Sequence, residues 1–402
     1  MLFVSNSFLR LSFLCTMFLT ADSIHDGFRF LPKGTCLEVT EKGTIISIHE
    51  SSEGKDAKHL EGILCPGFVN VHCHLELSHL KGCFEEGNGL IPFLQQVPTF
   101  RTQFPEEAKK QARHAAYEEL IKNGIVAIGD IANVQDTLDV RTLDKLHVQT
   151  FVECVGFLDA NAHERLHASK SVLEAFATQK GNSKKLQQTL VPHAPYSVSK
   201  TLFELIDKEQ ADALISIHNQ ESEEENIYYQ HKQGKVKDLL QGFGIDDSHF
   251  EASGKNSLPS YIEWLNEKHL MIFVHNTCSS REDIRLAKGK FKQAFWCLCP
   301  NANLFLENKL PDVAMMIEEN LVLCIGTDSL ASNHQLSIVA ELQTLKKHFP
   351  FLGWEILLQW ATINGAKALQ MEDEIGSFVV GKQPGILQIM NLETEPIINR
   401  IF

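Results

Sequence analysis

The sequence predicts an α/β protein, a (β/α)8 TIM barrel with a small β-sandwich formed by its N- and C-terminal segments. Three observations lead there. Eight short apolar runs, at 67–72, 125–130, 149–156, 188–193, 214–218, 271–275, 295–299 and 322–327, have the length of buried strands. Amphipathic stretches alternate with them, and strand-then-helix units repeated in series are how such a barrel is built. β-like pieces flank this alternation at both ends of the chain.

In chain order, residues 8–21 are apolar with a single Arg, loosely like a secretory leader. A strongly basic start is missing, however, and Asp22 and His25 follow at once. The segment is therefore expected to supply accessory strands, with an over-extended start or a leader as the open alternatives. Residues 36–40 and 44–48 flank a Lys42-Gly43 turn and read as a hairpin. Helical patterns cover 106–123, 200–210, 258–268, 280–288 and 310–319. The tail from Gly376 is β-like again, so the expected division is 1–65 and 371–402 for the two parts of the sandwich and 66–370 for the barrel. Ending at Phe402, the tail is expected to contribute a reduced share of that sandwich.

Charge narrows the partners. With 37 basic against 51 acidic residues, the net charge of -14 argues against nucleic acid and anionic membrane surfaces. No run reaches the roughly 20 apolar residues of a membrane span. A small-molecule substrate fits this balance, and a homodimer is compatible with it. Ten cysteines suggest a disulfide framework until their positions are read. Cys65, Cys73, Cys154, Cys297, Cys299 and Cys324 lie in or beside apolar runs, as reduced buried thiols of a cytoplasmic protein do. Cys297 and Cys299 have no second Cys/His pair at zinc-finger spacing.

The chemistry is concentrated where the apolar runs end. His72 and His74 are two apart, so on a strand they face the same side. His193, His218, His275 and Asp328 close or follow later runs. Barrel enzymes carry their active sites at the C-terminal ends of the strands, and three imidazoles with one carboxylate suit a catalytic divalent metal. Glu221, three residues past His218, can approach such a site from the turn off its strand, where a carboxylate suits general acid/base work. Its other reading is the acidic start of a helix, with Glu223, Glu224 and Glu225.

Taken in order, PGFVNVHCH (66–74), HAPYS (193–197), HNQE (218–221), FVHN (273–276), CPNAN (299–303) and GTDSLASN (326–333) resemble the amidohydrolase superfamily. The set is similar to its aminohydrolase branch, which deaminates purines, pyrimidines and nucleosides and dechlorinates triazines. The resemblance runs from about residue 30 to 390. It implies one divalent metal ion, Zn2+ or Fe2+, held by His72, His74, His218 and Asp328. It also implies Glu221 as proton shuttle and His275 as the residue that orients the attacking water, with Asp328 assisting. Two-metal relatives use a carboxylated lysine at the end of the fourth strand. His193 stands there instead, which supports one metal and implies a substrate contact.

Two departures are visible. Glu76 puts a carboxylate where many relatives are uncharged, able to bond a ribose or ring nitrogen or to pair with a nearby cation. The segment 381–386 lacks the usual Ala-Asp pair, which touches the accessory sheet more than the site. Glu76, Glu153, His193, Ser332 and Asn333 are the candidate substrate contacts. The motif set is most similar to aminodeoxyfutalosine deaminases, so the expected reaction is hydrolytic release of ammonia from a 6-aminopurine nucleoside such as aminodeoxyfutalosine, adenosine or S-adenosylhomocysteine. Guanine or cytosine deamination and triazine dechlorination are alternatives on the same metal site. An inactive amidohydrolase-fold scaffold is the alternative of another kind.

Overall fold

The computed structural model describes residues 16–402. Its strands are β1 (Thr16–Ile24), β2 (Cys36–Thr40), β3 (Ile45–His49), β4 (Ala57–Pro66), β5 (Phe68–Cys73), β6 (Ile125–Ala132), β7 (His147–Cys154), β8 (Leu186–Pro192), β9 (Leu214–Asn219), β10 (Leu270–His275), β11 (Gln293–Leu298), β12 (Val322–Ile325), β13 (Ile386–Met390) and β14 (Ile397–Arg400). Each of the eight apolar runs is one of the strands β5 to β12. Every residue of β5, β6, β7, β9 and β10 is buried. Parallel strands covered on both faces read as continuous apolar runs for that reason.

The chain ends do pair. β14-β13-β4-β1-β2-β3 form one six-stranded sheet, with β13 antiparallel to β4 and the 36–49 hairpin at the far edge. Of the apolar segment 8–21, residues 8–15 lie outside the described residues, as does most of the leader-like reading. Thr16 onward forms β1, inside this sheet between β2 and β4.

The middle strands form two parallel four-stranded sheets, β5-β6-β7-β8 and β9-β10-β11-β12. They touch at both edges. At one, His218 N–H donates to the His193 carbonyl at 3.0 Å; at the other, Thr327 and Asp328 N–H both donate to the His72 carbonyl at 3.0 Å. Gly326 permits the second approach, since a Cβ there would lie 2.9 Å from the His72 Cβ and 3.0 Å from Cys297 Sγ. Asn70, buried within β5, exchanges two bonds with Thr327: its Nδ2 donates to Thr327 Oγ1 at 2.8 Å, and its Oδ1 accepts the Thr327 amide at 3.1 Å. Asp328 is thereby seated beside β5.

Two helical expectations need correction. The 258–268 pattern gives only Ser257–Tyr261 and a 3-10 turn at Ile262–Trp264. Leu265 is extended, and Asp207 Oδ1 draws the Asn266 amide away at 2.6 Å. The 310–319 helix starts at Val313, because Pro311 precedes it and Asp312 caps it by accepting the Met315 amide at 2.9 Å. A helix absent from the sequence reading, Leu90–Arg101, lies over the strand ends.

Candidate active site and metal centre

Three ring nitrogens and one carboxylate oxygen, from β5 and the residue after it, β9 and the segment after β12, converge at the strand ends. His72 Nε2 and His74 Nε2 are 3.1 Å apart, and His74 Nε2 is 3.3 Å from His218 Nε2. Asp328 Oδ1 lies 3.5 Å from His72 Nε2 and 3.2 Å from His74 Nε2. Donors sitting roughly 2.0–2.2 Å from a tetrahedral ion are separated by roughly 3.3–3.6 Å, so the spacing fits one cation of zinc size. His218 Nδ1 is 2.9 Å from the His193 carbonyl, which can only accept. The proton therefore sits on Nδ1, and the Nε2 lone pair faces the centre.

Electrostatics agree with a site built for positive charge. Burial raises the Asp328 carboxyl, but its bonds to His72 and His74 outweigh that and hold it well below the usual range. Burial pulls His74 down, yet the hydrogen bond and charge of Asp328 carry it up to about 9. Burial lowers His72 to about 3 and His193 to about 3. Asp328 thus favours positive charge beside His74, where a bound cation would compete with the imidazole proton.

Glu221 and His275 stand beside this cluster, with His275 Nε2 3.5 Å from Glu221 Oε1. His275 Nδ1 bonds Asn303 Oδ1 at 2.8 Å, which leaves Nε2 buried with no partner among the described residues. Burial and the charge of Asp328 push the Glu221 carboxyl well above the usual range. One donor atom from each of His72, His218, His275 and Asp328 lies within 4.8 Å of the others, so His275 borders the cation position alongside His74. A water between these groups would meet a base, an acceptor and the cation position at once.

A cavity of about 390 Å3 opens over the cluster, lined by His74, Glu76, Glu153, His193, His218, Glu221, His275 and Asp328. That size suits a small organic ligand. Glu76 meets the second of its two expectations. Its carboxylate pairs with Arg101 at 3.1 Å and accepts the Asn133 amide at 2.9 Å, Asn133 Nδ2 at 3.2 Å and the Val134 amide at 3.3 Å. Glu153 accepts Asn133 Nδ2 at 2.8 Å, lies 3.4 Å from His218 Nδ1, and is pushed by burial up to about 7. His193 Nδ1 bonds Ser197 Oγ at 2.6 Å.

Ser332 and Asn333 are not on the cavity wall. Ser332 Oγ donates to Asp328 Oδ2, and Asn333 Nδ2 donates to the Thr327 carbonyl at 2.8 Å and to Glu341 at 2.7 Å. They hold Asp328 from behind, and Ser329 takes the wall position. The outer wall was not legible in the sequence. Leu90, Phe93, Leu94, Val97 and Arg101 face the cavity from one helix, with Leu239, Leu240 and Phe243 from another segment. The spacing of the first five was the available signal.

Three imidazoles and a carboxylate around one cation position, at the ends of parallel strands and beside a buried carboxyl, define a metal-dependent hydrolase site. Residues 63–397 match the amidohydrolase family, and the chain belongs to it. The chain is 30% identical over 316 residues to an adenosine deaminase of Helicobacter pylori, covering 77% of this chain and 75% of that protein. It is 27% identical to an aminodeoxyfutalosine deaminase of Nitratiruptor sp., covering 82% and 79%. Among solved structures, aminofutalosine deaminase of Helicobacter pylori in complex with methylthio-coformycin superposes with a TM-score of 0.77 at 23% identity, covering 94% of this chain and 93% of that one.

Proposed function

We propose that this chain is a metal-dependent hydrolytic deaminase of a 6-aminopurine nucleoside-type substrate, a small molecule that enters the cavity over the strand ends. The convergence of His72, His74, His218 and Asp328 next to Glu221 and His275 carries the reading. In it, β5 to β12 act as one closed barrel, supported by the backbone bonds at both sheet edges. The terminal strands of 1–65 and 371–402 act as a separate accessory layer of sandwich type. Cytoplasmic residence belongs to the same proposal, supported by nine described cysteines that are all unpaired.

His72, His74, His218 and Asp328 would hold the cation, Zn2+ or Fe2+. When bound, it supplies a hydroxide nucleophile by lowering the pKa of water from about 15.7 to about 7. The protein groups handle the protons. His275 Nε2, an acceptor because Nδ1 is committed to Asn303, orients the attacking water at C6. Glu221 takes the water's proton and delivers it to the ring nitrogen beside C6, whose basicity rises as the ring loses aromaticity. A second transfer through Glu221 moves the proton left on the added oxygen to the exocyclic amine. The C6–O bond forms, the C6–N bond breaks, and ammonia and an oxopurine leave. His193 and Glu153 line the purine side of the cavity as substrate contacts, and the apolar helix face at Leu90–Arg101 covers the nucleoside's far end.

The names of relatives support this substrate class, since they include an adenosine deaminase and a 5′-deoxyadenosine deaminase. The test is ammonia release by metal-replete enzyme from adenosine, 5′-thio-substituted adenosines, guanine, cytosine and chlorotriazines. Release from the adenosines alone is expected. Release only from free bases, or chloride from triazines, would replace the substrate class. Purified protein without stoichiometric zinc or iron would point to a scaffold.

A further inference from the structure

The turn that takes the chain from His218 to Glu221 is held from behind by a buried polar cluster that the reaction scheme does not use. Gln220 sits at φ 45°, in the left-handed region that a residue with a Cβ adopts only under constraint. Three of its polar groups are engaged. Its amide donates to Glu225 Oε1 at 3.0 Å, and its carbonyl accepts the Cys278 amide at 2.8 Å. Its Nε2 donates to Asn226 Oδ1 at 3.1 Å and to Asp283 Oδ2 at 2.9 Å. Glu225 is buried, outside the cavity wall, and its Oε1 also accepts the Ser257 hydroxyl. Its Oε2 has no partner among the described residues.

We propose that Glu225 is a positioning residue: through the Gln220 amide it sets the turn that aims Glu221 at His275 and the substrate. The inference rests on the reading of Glu221 as proton carrier. An acceptor at this point is required, because the Gln220 amide leaves β9 where no strand partner takes it and no solvent reaches. The same cluster joins the two catalytic turns. Cys278 follows β10, Asn219 Nδ2 donates to Asn276 Oδ1 at 3.0 Å, and the Asn276 amide donates to the Asn219 carbonyl at 3.0 Å. The 3.5 Å spacing of Glu221 and His275 is thus set by bonds in which neither side chain takes part. Removing the Glu225 carboxyl frees the Gln220 peptide to relax toward ordinary φ, and Glu221 swings with it.

The test uses metal-loaded full-length enzyme. Glu225→Ala should lower kcat roughly 30-fold while KM and bound metal stay within about two-fold. Glu225→Gln, which keeps an acceptor oxygen toward Gln220, should recover most of that loss. In crystal structures the Glu221 to His275 separation should open by roughly 1 Å or more in Glu225→Ala and hold in Glu225→Gln. If Glu225→Ala does not fold, Ser257→Ala, which keeps the carboxyl but removes one of its donors, should lower kcat roughly 3- to 10-fold at constant KM. Wild-type kcat in Glu225→Ala, or in Ser257→Ala where Glu225→Ala does not fold, or an unmoved Glu221 in the structure of that alanine variant, overturns the proposal. The crystallographic arm does not need a substrate. An enzyme that releases no ammonia from any compound would sink the deaminase reading, while a displaced Glu221 would still support positioning.

Discussion

His275, Asn276, Gln220 and Asp328 share a backbone conformation that residues with side chains avoid, with φ of 72°, 59°, 45° and 57°. Such geometry costs about 1–3 kcal/mol per residue and persists only where surrounding bonds enforce it. Here those bonds turn the chain sharply at the strand ends and bring Asp328, Glu221 and His275 into one cavity. Glu221→Gln should retain stoichiometric metal, read by elemental analysis, while kcat falls roughly 10³-fold. Near-normal turnover in that variant would remove Glu221 from the mechanism. Asp328→Ala takes away the one carboxylate of the donor set and should yield protein without stoichiometric metal. Metal retained at wild-type level would mean the cation sits elsewhere.

At the scale of elements, the eight strands were legible because burial on both faces leaves an uninterrupted apolar run. The histidines were legible because they close such runs or follow them by two residues. Asn133, Asn303 and Arg101 were not, since an amide or a cation gains its role from partners far along the chain. The helix Leu90–Arg101 was hidden by Pro92 and Pro98 within it and by Gly82, Gly87 and Gly89 before it, all of which read as loop. Ser332 and Asn333 belong to the same motif as Asp328, but spacing alone does not distinguish a residue facing the cavity from one behind it. The Leu90–Arg101 helix is tied to the strand ends by the Arg101 to Glu76 ion pair, whose carboxylate is buried. Arg101→Met should therefore loosen the outer wall, raising KM roughly 10-fold with kcat within about two-fold. A kcat loss at constant KM would instead tie Arg101 to the chemical step.

For the whole molecule, stability should follow both cation and pH. A ligand that binds only the folded state stabilises it by about 4 kcal/mol at a thousand times its Kd. Stripping the metal with a chelator should therefore lower Tm by roughly 5–10 °C, measured by scanning calorimetry and reversed by adding the metal back. An unchanged Tm would mean that the histidine cluster binds no cation. Burial pushes the Glu225 carboxyl up to about 8, against an ordinary value of 4.5. Between those values the native state keeps a proton that the unfolded chain has lost. Its contribution is complete below pH 4.5 and is lost as pH rises through about 8, with a limiting slope of about 1.4 kcal/mol per pH unit. Glu225→Gln should flatten the fall of Tm over that window at saturating metal. A variant as steep as wild type would assign the pH dependence to other groups.

The carbonyl of His72 receives the amides of Thr327 and Asp328, so a residue of the first inner strand is fastened to one that follows the last. A growing chain on the ribosome has both early histidines long before it has their carboxylate. On the proposed ligand set, a completed coordination sphere would be a late event of biosynthesis, and cation capture would report that β12 has docked. Chains released before Asp328 is made would hold at most three of the four proposed donors, and nascent fragments would then be poor scavengers of cellular metal.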